Sequence, residues 1–299
     1  MCLIGIVCAA ACSTDNSLRR ADPMQVSALG TESLAPAVES SPPEQATLAS
    51  LSSDRRDSFR FPAGFPGLLA RDARQIATAP LGWDRSDWTK LGIGIAAIGG
   101  ALLIDEELRQ SVQQNSNRTT RSVADAVRPF GEEYSWGVLG GFYLAGTVFK
   151  DDKAKAVAQD SLASSLIAAG VITPLLKATV GRDRPHETQS TFARSANGRS
   201  FPSGHTTQAF AIASVVASHY ESPWIQTAAY TLAGLVGWSR MEHNAHYASD
   251  VLAGALIGTV IGRSVVRLHD SERLRISAAP SVNPASPGVA LTFQTDLGD

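Results

Sequence analysis

The chain has 299 residues, of which 18% are charged and 44% hydrophobic, and its net charge is −2. The charged share lies below the roughly one quarter usual for soluble domains, and the near-neutral balance excludes a global basic field for nucleic acid. All the cysteines, Cys2, Cys8 and Cys12, fall at the extreme N-terminus, so the body of the chain holds neither a disulfide nor a thiolate metal site and suits an oxidising compartment.

The opening MCLIGIVCAAACSTDNS is a short apolar run that ends in small residues, the shape of a secretory segment and its cleavage site. The Ala9 to Ser13 stretch resembles a bacterial lipoprotein signal with Cys12 as the lipidated residue; an ordinary cleaved signal or a membrane stub is the alternative. Residues 1–12 are therefore read as a signal segment. Residues 13–57 are rich in Ser, Thr, Pro, Glu and Asp without an apolar period, and are expected to be a disordered tether, because such a chain cannot bury enough surface to offset its entropy.

Helical periodicity begins near Phe59 and fills residues 58–270. A short helix is expected over Leu68 to Thr78, then one from Asp87 to Val112 with a dense apolar block at Leu91 to Ile104. Further helical patterns cover 120–128, 131–149, 153–178, 205–220, 223–240 and 245–268, separated by Gly, Pro and polar clusters. The tail, 271–299, has short alternating runs at Arg275 to Val282 and Gly288 to Gln294, a candidate small β-hairpin. The expected fold class is all-α, a helical bundle. A membrane span needs ~20 mostly apolar residues, and Leu91 to Ile104 and Ser161 to Leu176 fall short. The reading is thus a bundle at or beside a membrane surface, without firm spans. Val251 to Ile261 carries small residues that also suit helix packing in lipid.

Three stretches carry chemistry. In the first, Lys177 stands seven residues before Arg184 and Pro185, with Arg182 between; by itself this is an ordinary helix C-terminus, where cations are favoured. The second, Pro202-Ser203-Gly204-His205, precedes an apolar helix. Its unpaired N–H groups suit phosphate, and Gly204 permits close approach. Ser203 has the alternative role of a plain N-cap. His205 is out of place there as a cation unless an anion lies beside it. In the third, Ser239-Arg240 is followed by His246 and Asp250, four apart. Such an Asp can fix an imidazole tautomer and free the other nitrogen for attack, while Arg240 offers a fork for phosphate oxygens. A bland alternative is a surface Asp–His pair. A metal held by His243, His246 and Asp250 is disfavoured, because Lys177, Arg184 and Arg240 would surround a cation with cations.

Together, K-x6-RP, PSGH and SR-x5-H-x3-D resemble the type 2 phosphatidic acid phosphatase superfamily, which shares its site with vanadium haloperoxidases and bacterial class A acid phosphatases. The resemblance covers about residues 90–270 and implies an all-helical bundle. It implies that Lys177, Arg184 and Arg240 hold the phosphoryl oxygens and that the Ser203 and Gly204 N–H groups with the Ser203 hydroxyl complete the cradle. It also implies that His246 is the nucleophile, that Asp250 orients it, and that His205 protonates the leaving oxygen. No metal or other cofactor is expected, and vanadate should act as an inhibitor or phosphate mimic. His186 and His243 are read as rim residues, and the loop 186–200 with Glu187 as shaping entry. The implied function is a metal-independent phosphomonoester or pyrophosphate hydrolase acting on a lipid phosphate. It would be exported, on the periplasmic side of a bacterial membrane. Alternatives are a tethered acid phosphatase for soluble substrates, a vanadate-dependent haloperoxidase and a non-catalytic scaffold.

Overall fold

Short polar signals set the helix starts in the computed structural model, which describes residues 64–188 and 190–277, without the side chains of 272–277. The first helix, α1 (Phe65–Thr78), carries a proline in its first turn, where its missing N–H costs nothing. Asp84 caps α2 (Arg85–Leu103) by accepting from the Asp87 N–H at 2.9 Å. After α3 (Asp105–Gln114), Asn117 and Thr120 form a reciprocal capping box at the start of α4 (Arg118–Val127). A 3₁₀ turn (Arg128–Gly131) leads into α5 (Glu133–Val148). Asp151 accepts from the Lys153 and Ala154 N–H groups to start α6 (Asp152–Ser165). The chain continues helically through a π segment (Leu166–Ile172) into α7 (Thr173–Val180). The last three helices are α8 (Gly204–His219), α9 (Pro223–Glu242) and α10 (Ala248–Ser277).

The all-α reading holds across the described residues, with two local departures. One helix was expected over 87–112, but it breaks at Ile104, where φ is −113° and ψ 11°. The break turns Asp105, fully buried, toward partners far away in sequence. The π segment lies just ahead of Pro174, which has no N–H to give to the preceding turn. The signal segment with Cys12 and the tether lie outside the described residues. So does the tail hairpin from residue 278 onward. Its first residues, Arg275 to Ser277, instead finish α10, because the Glu272 to Arg275 run consists of good helix formers.

Helix α8 is the centre of the bundle: every residue from Thr206 to Val216 is buried, as for a helix enclosed on all sides. Helix α10 lies against it through Gly254, Gly258 and Gly262, one per turn. A Cβ at these positions would meet the Ser203, Thr207 and Ala211 carbonyl oxygens at 2.6, 2.4 and 2.6 Å, so only glycine permits this backbone approach. Among the described residues, two apolar clusters complete the core. Leu139, Val157, Ile212 and Val215 form one; Ala163, Ile167, Ile261 and Val265 form the other, with Phe65, Leu69 and Ile76 of α1 packed on it. Beside them a buried polar chain ties α1 down. The two nitrogens of His269 lie 2.6 Å from Asp160 Oδ1 and 2.9 Å from Asp72 Oδ2, and His219 Nε2 lies 2.8 Å from Asp160 Oδ2.

Among the described residues, two helical stretches, 152–180 and 248–271, are long and apolar enough to cross a membrane, with mean hydropathies of 1.5 and 1.6. Many large apolar side chains also face outward, among them Ile93, Leu103, Leu144, Phe149 and Leu175, each more than half exposed. Apolar surface on this scale marks contact with lipid or protein.

Candidate active site

Successive helices run back and forth, so the end of α7, the start of α8, the end of α9 and the start of α10 fall at one end of the bundle. This brings Lys177, Ser203 to His205, Arg240, His246 and Asp250 together. Arg184 follows α7 in the loop, within electrostatic reach of both Lys177 and Arg240. The Lys177 ammonium donates to the Arg199 carbonyl at 2.5 Å. Arg240 is buried, and its Nε makes no hydrogen bond. Burial first, then the nearby Arg128 and Arg184 charges, push its pKa down to about 10. A cluster of half-buried and buried cations of this kind is relieved by an anion.

Helix α10 begins at Ala248, so His246 and Asp250 do not share the helical face that their spacing suggests. His246 sits in the turn between α9 and α10, where its N–H and that of Ala245 both donate to the Arg240 carbonyl. It is buried, with Nδ1 3.7 Å from Asp250 Oδ2. That separation is an ion-pair contact longer than a hydrogen bond, and Nδ1 has no hydrogen-bond partner. With Nδ1 turned to Asp250, Nε2 is the ring nitrogen that does not face that carboxylate. Burial chiefly, opposed by Asp250 and assisted by Lys177 and Arg240, holds the His246 pKa down to about 4. The imidazole is therefore neutral and nucleophilic near pH 7.

Asp250 is fully buried and held from several directions. Its Oδ1 accepts from Arg182 Nη1 at 2.6 Å; its Oδ2 accepts from the Ser200 hydroxyl at 2.5 Å and the Tyr247 N–H at 2.9 Å. The Arg182 guanidinium, itself 5% exposed, also donates from Nη2 to Asp105 Oδ2 at 2.8 Å and lies over the Tyr247 ring, 4.1 Å from its centre. Ser249 closes the network by donating its N–H to Asp105 Oδ1 at 2.9 Å and its hydroxyl to Asp105 Oδ2 at 2.5 Å. Sequence reasoning placed Arg182 only between Lys177 and Arg184 and did not single out Asp105. Neither had a signal for its partner, 77 residues away.

At the α8 start, Ser203 is not a side-chain cap. Its hydroxyl accepts from the Thr206 hydroxyl at 2.9 Å, which leaves its own proton to give. One expectation is corrected: the Ser203 N–H donates to the Asp250 carbonyl at 3.0 Å, so it is not a cradle donor. The backbone contribution begins at Gly204. His205 Nε2 lies 2.8 Å from Glu132 Oε2, a partner that sequence reading did not single out. Burial first, then Arg240, His246, Arg128 and Lys177, push the His205 pKa down to about 3. A phosphoryl dianion among those cations would reverse the electrostatic part of this shift.

His243 is turned away from His246: its nitrogens approach the Ser239 carbonyl (2.6 Å) and Asp125 (2.8 Å). His186 lies half-exposed, its Nδ1 3.1 Å from the Asn244 carbonyl. Glu187 accepts from the Arg184 N–H at 3.0 Å, which holds the turn that carries Arg184. The 186–200 loop is fastened back on residues 181–183 by backbone bonds from Ser195 and Ser200 and by one to Ala193.

Residues 161–273 match the family model described as the PAP2 superfamily. The chain is 41% identical over 110 residues to a lipid A 1-phosphatase of Porphyromonas gingivalis, a stretch that is 36% of this chain and 22% of that protein. It is 33% identical over 107 residues to a lipid A 1-phosphatase of Rhizobium etli, 32% of this chain and 44% of that protein. The chain thus spans less than half the length of either curated relative. Among solved structures it is similar to Aquifex aeolicus LpxE, with a TM-score of 0.44 and 26% identity over 55% of this chain and 95% of that one. It is also similar to a transmembrane PAP2-type phosphatidylglycerolphosphate phosphatase from Bacillus subtilis, with a TM-score of 0.49 and 21% identity over 62% and 95%. The residues that match the PAP2 superfamily model, 161–273, contain Lys177, Arg184, Ser203, His205, Arg240, His246 and Asp250.

Proposed function

We propose that the protein is a metal-independent phosphatase of a lipid phosphate or pyrophosphate, acting outside the cytoplasm through a phosphohistidine at His246. The observation that carries this reading is a buried, neutral His246 backed by Asp250 and set among Lys177, Arg184 and a buried Arg240 whose Nε is unpaired. Phosphoryl transfer depends above all on positioning and charge stabilisation, and fixed cations with a helix start supply both.

In the first step His246 Nε2 forms a bond to phosphorus as the bond to the leaving oxygen breaks, and His205 gives that oxygen its proton. In the second, water attacks the phosphohistidine, passes a proton to His205, and phosphate leaves as the P–N bond breaks. Asp250 stabilises the charge that develops on His246. The lipid substrate is supported by the outward apolar surface and by the relatives named lipid A 1-phosphatases. They make lipid A 1-phosphate the first substrate to test. The site outside the cytoplasm is supported by the signal-like start, where lipidated Cys12 would anchor the chain beside its membrane.

The test is phosphate release in EDTA by wild type and His246→Ala on lipid A 1-phosphate, phosphatidate, undecaprenyl pyrophosphate and a soluble aryl phosphate. Release that survives EDTA, is lost in the variant, and is fastest on a lipid is expected. Release that needs a metal, or that His246→Ala retains, would overturn the mechanism. Preference for the aryl phosphate would move the assignment to a soluble-substrate phosphatase.

A further inference from the structure

An apolar cleft of about 320 Å³ lies between α5, α8 and α9, within the size range of small-ligand pockets, about 300–1,000 Å³. One end of it comes close to His205. Gly131 is pressed so closely on its neighbours that a Cβ there would stand 2.7 Å from Val236 and 2.8 Å from His205 Cβ. Phe130, the adjacent residue, and Val236 form the inner end of the cleft. From Val236 the cleft follows α9 to Ile225, eleven residues or about 16 Å along the helix axis. Ile225 and Leu232 are more than a third exposed there, so the cleft is open to its surroundings. Small residues create the space: Ala209 and Ala213 on α8 face Ala228, Ala229 and Ala233 on α9. Its polar feature is Ser135, whose hydroxyl is engaged by the Glu132 carbonyl and the Gln208 amide.

The position of the cleft selects its occupant. In-line attack by His246 sends the leaving oxygen to the opposite side of phosphorus, the side of the acid His205. The cleft opens beside His205. We propose that it binds the hydrocarbon chain of the leaving group, so that the enzyme reads the alkyl or acyl chain that departs with the oxygen. The proposal rests on the phosphatase reading above.

The test uses the full-length protein and a series of alkylphosphonates, butyl to hexadecyl, as competitive inhibitors of aryl phosphate hydrolysis, with lipid phosphate hydrolysis measured in parallel. The inhibition constant of wild type should fall about two- to fourfold per added methylene, and the gain should stop once the chain outgrows the roughly 16 Å cleft. Ala213→Phe fills the buried wall, and Ala228→Phe fills the exposed wall, where the larger ring is accommodated without disturbing the core. Both should flatten the chain-length slope by at least half. The readout is the slope, which a general loss of activity does not change. A wild-type inhibition constant that ignores chain length while phosphate is released would overturn the cleft alone. So would a full slope in Ala228→Phe. Absence of phosphate release from every substrate would remove the phosphatase reading and the cleft with it.

Discussion

Replacing Arg182 by glutamine tests whether the buried network beneath His246, the proposed nucleophile, sets both stability and catalysis. In the folded protein one guanidinium, 5% exposed, lies between two carboxylates that are 0% exposed, at 2.8 Å from Asp105 and 2.6 Å from Asp250. A neutral amide in its place would leave these carboxylates without their shared cation. Breaking a buried pair by removing one partner costs about 3–5 kcal/mol, which for a domain of this size corresponds to a fall in Tm of roughly 6–20 °C. Protonation of one carboxylate would relieve the strain, and Asp250 would then lose the charge that supports His246. Loss of kcat with little change in KM is expected, because the residues proposed to hold the substrate phosphate are Lys177, Arg184 and Arg240. Arg182→Lys should recover stability in part but not the forked contact to both carboxylates. The assay is thermal unfolding in detergent with steady-state kinetics on an aryl phosphate. A variant melting within 2 °C of wild type (below about 1 kcal/mol), with kcat within about twofold, would refute the argument.

Glu132→Gln removes the carboxylate 2.8 Å from His205 Nε2. Because Glu132 is 62% exposed, its effect is screened, and the alkaline limb of kcat should move down by up to about one pH unit. His205 and His246 refuse protons in the folded site until about pH 3 and pH 4, whereas the unfolded chain takes them up near 6.5. The unfolded state therefore binds more protons, so stability is present above pH 6.5 and declines as pH falls toward 4. The decline approaches about 1.4 kcal/mol per pH unit for the buried His246 and less for the partly exposed His205. Denaturant melts of His246→Asn should show a shallower decline over that window. Asp72→Ala leaves His269 Nε2 without its partner and should cost about 1–3 kcal/mol. Amide exchange should quicken in α1, while kcat holds because His269 lies about 28 Å along α10 from Asp250.

Several parts of this site are local in sequence and so were legible there. The spacing of Lys177 and Arg184, the PSGH run and the His246–Asp250 interval each lie within one helix end or turn, and resemblance joined them. The helices followed from apolar periodicity and short caps such as Asp84 and Asn117, whose partners lie within three residues. The boundary at Ile104 was not legible. Leu91 to Val112 has the composition of one helix, and the break exists because Asp105 is drawn to Ser249 and Arg182.

The sequence by itself determined the helical class, the order of the helices and the residue types, cations and imidazoles at helix ends, on which the proposed phosphoryl transfer rests. Only the tertiary structure decided which of them face one another. It committed the Ser203 N–H to the Asp250 carbonyl, placed Glu132 on His205, and locked Asp250 through Arg182 to Asp105. It also opened an apolar cleft close to His205, between helices whose alanines individually carry no signal. The physical reason is the range of the forces involved. Capping and periodicity act within a turn or two of the chain, whereas burial of paired charges and the close approach of α10 to α8 join residues that sequence distance keeps apart.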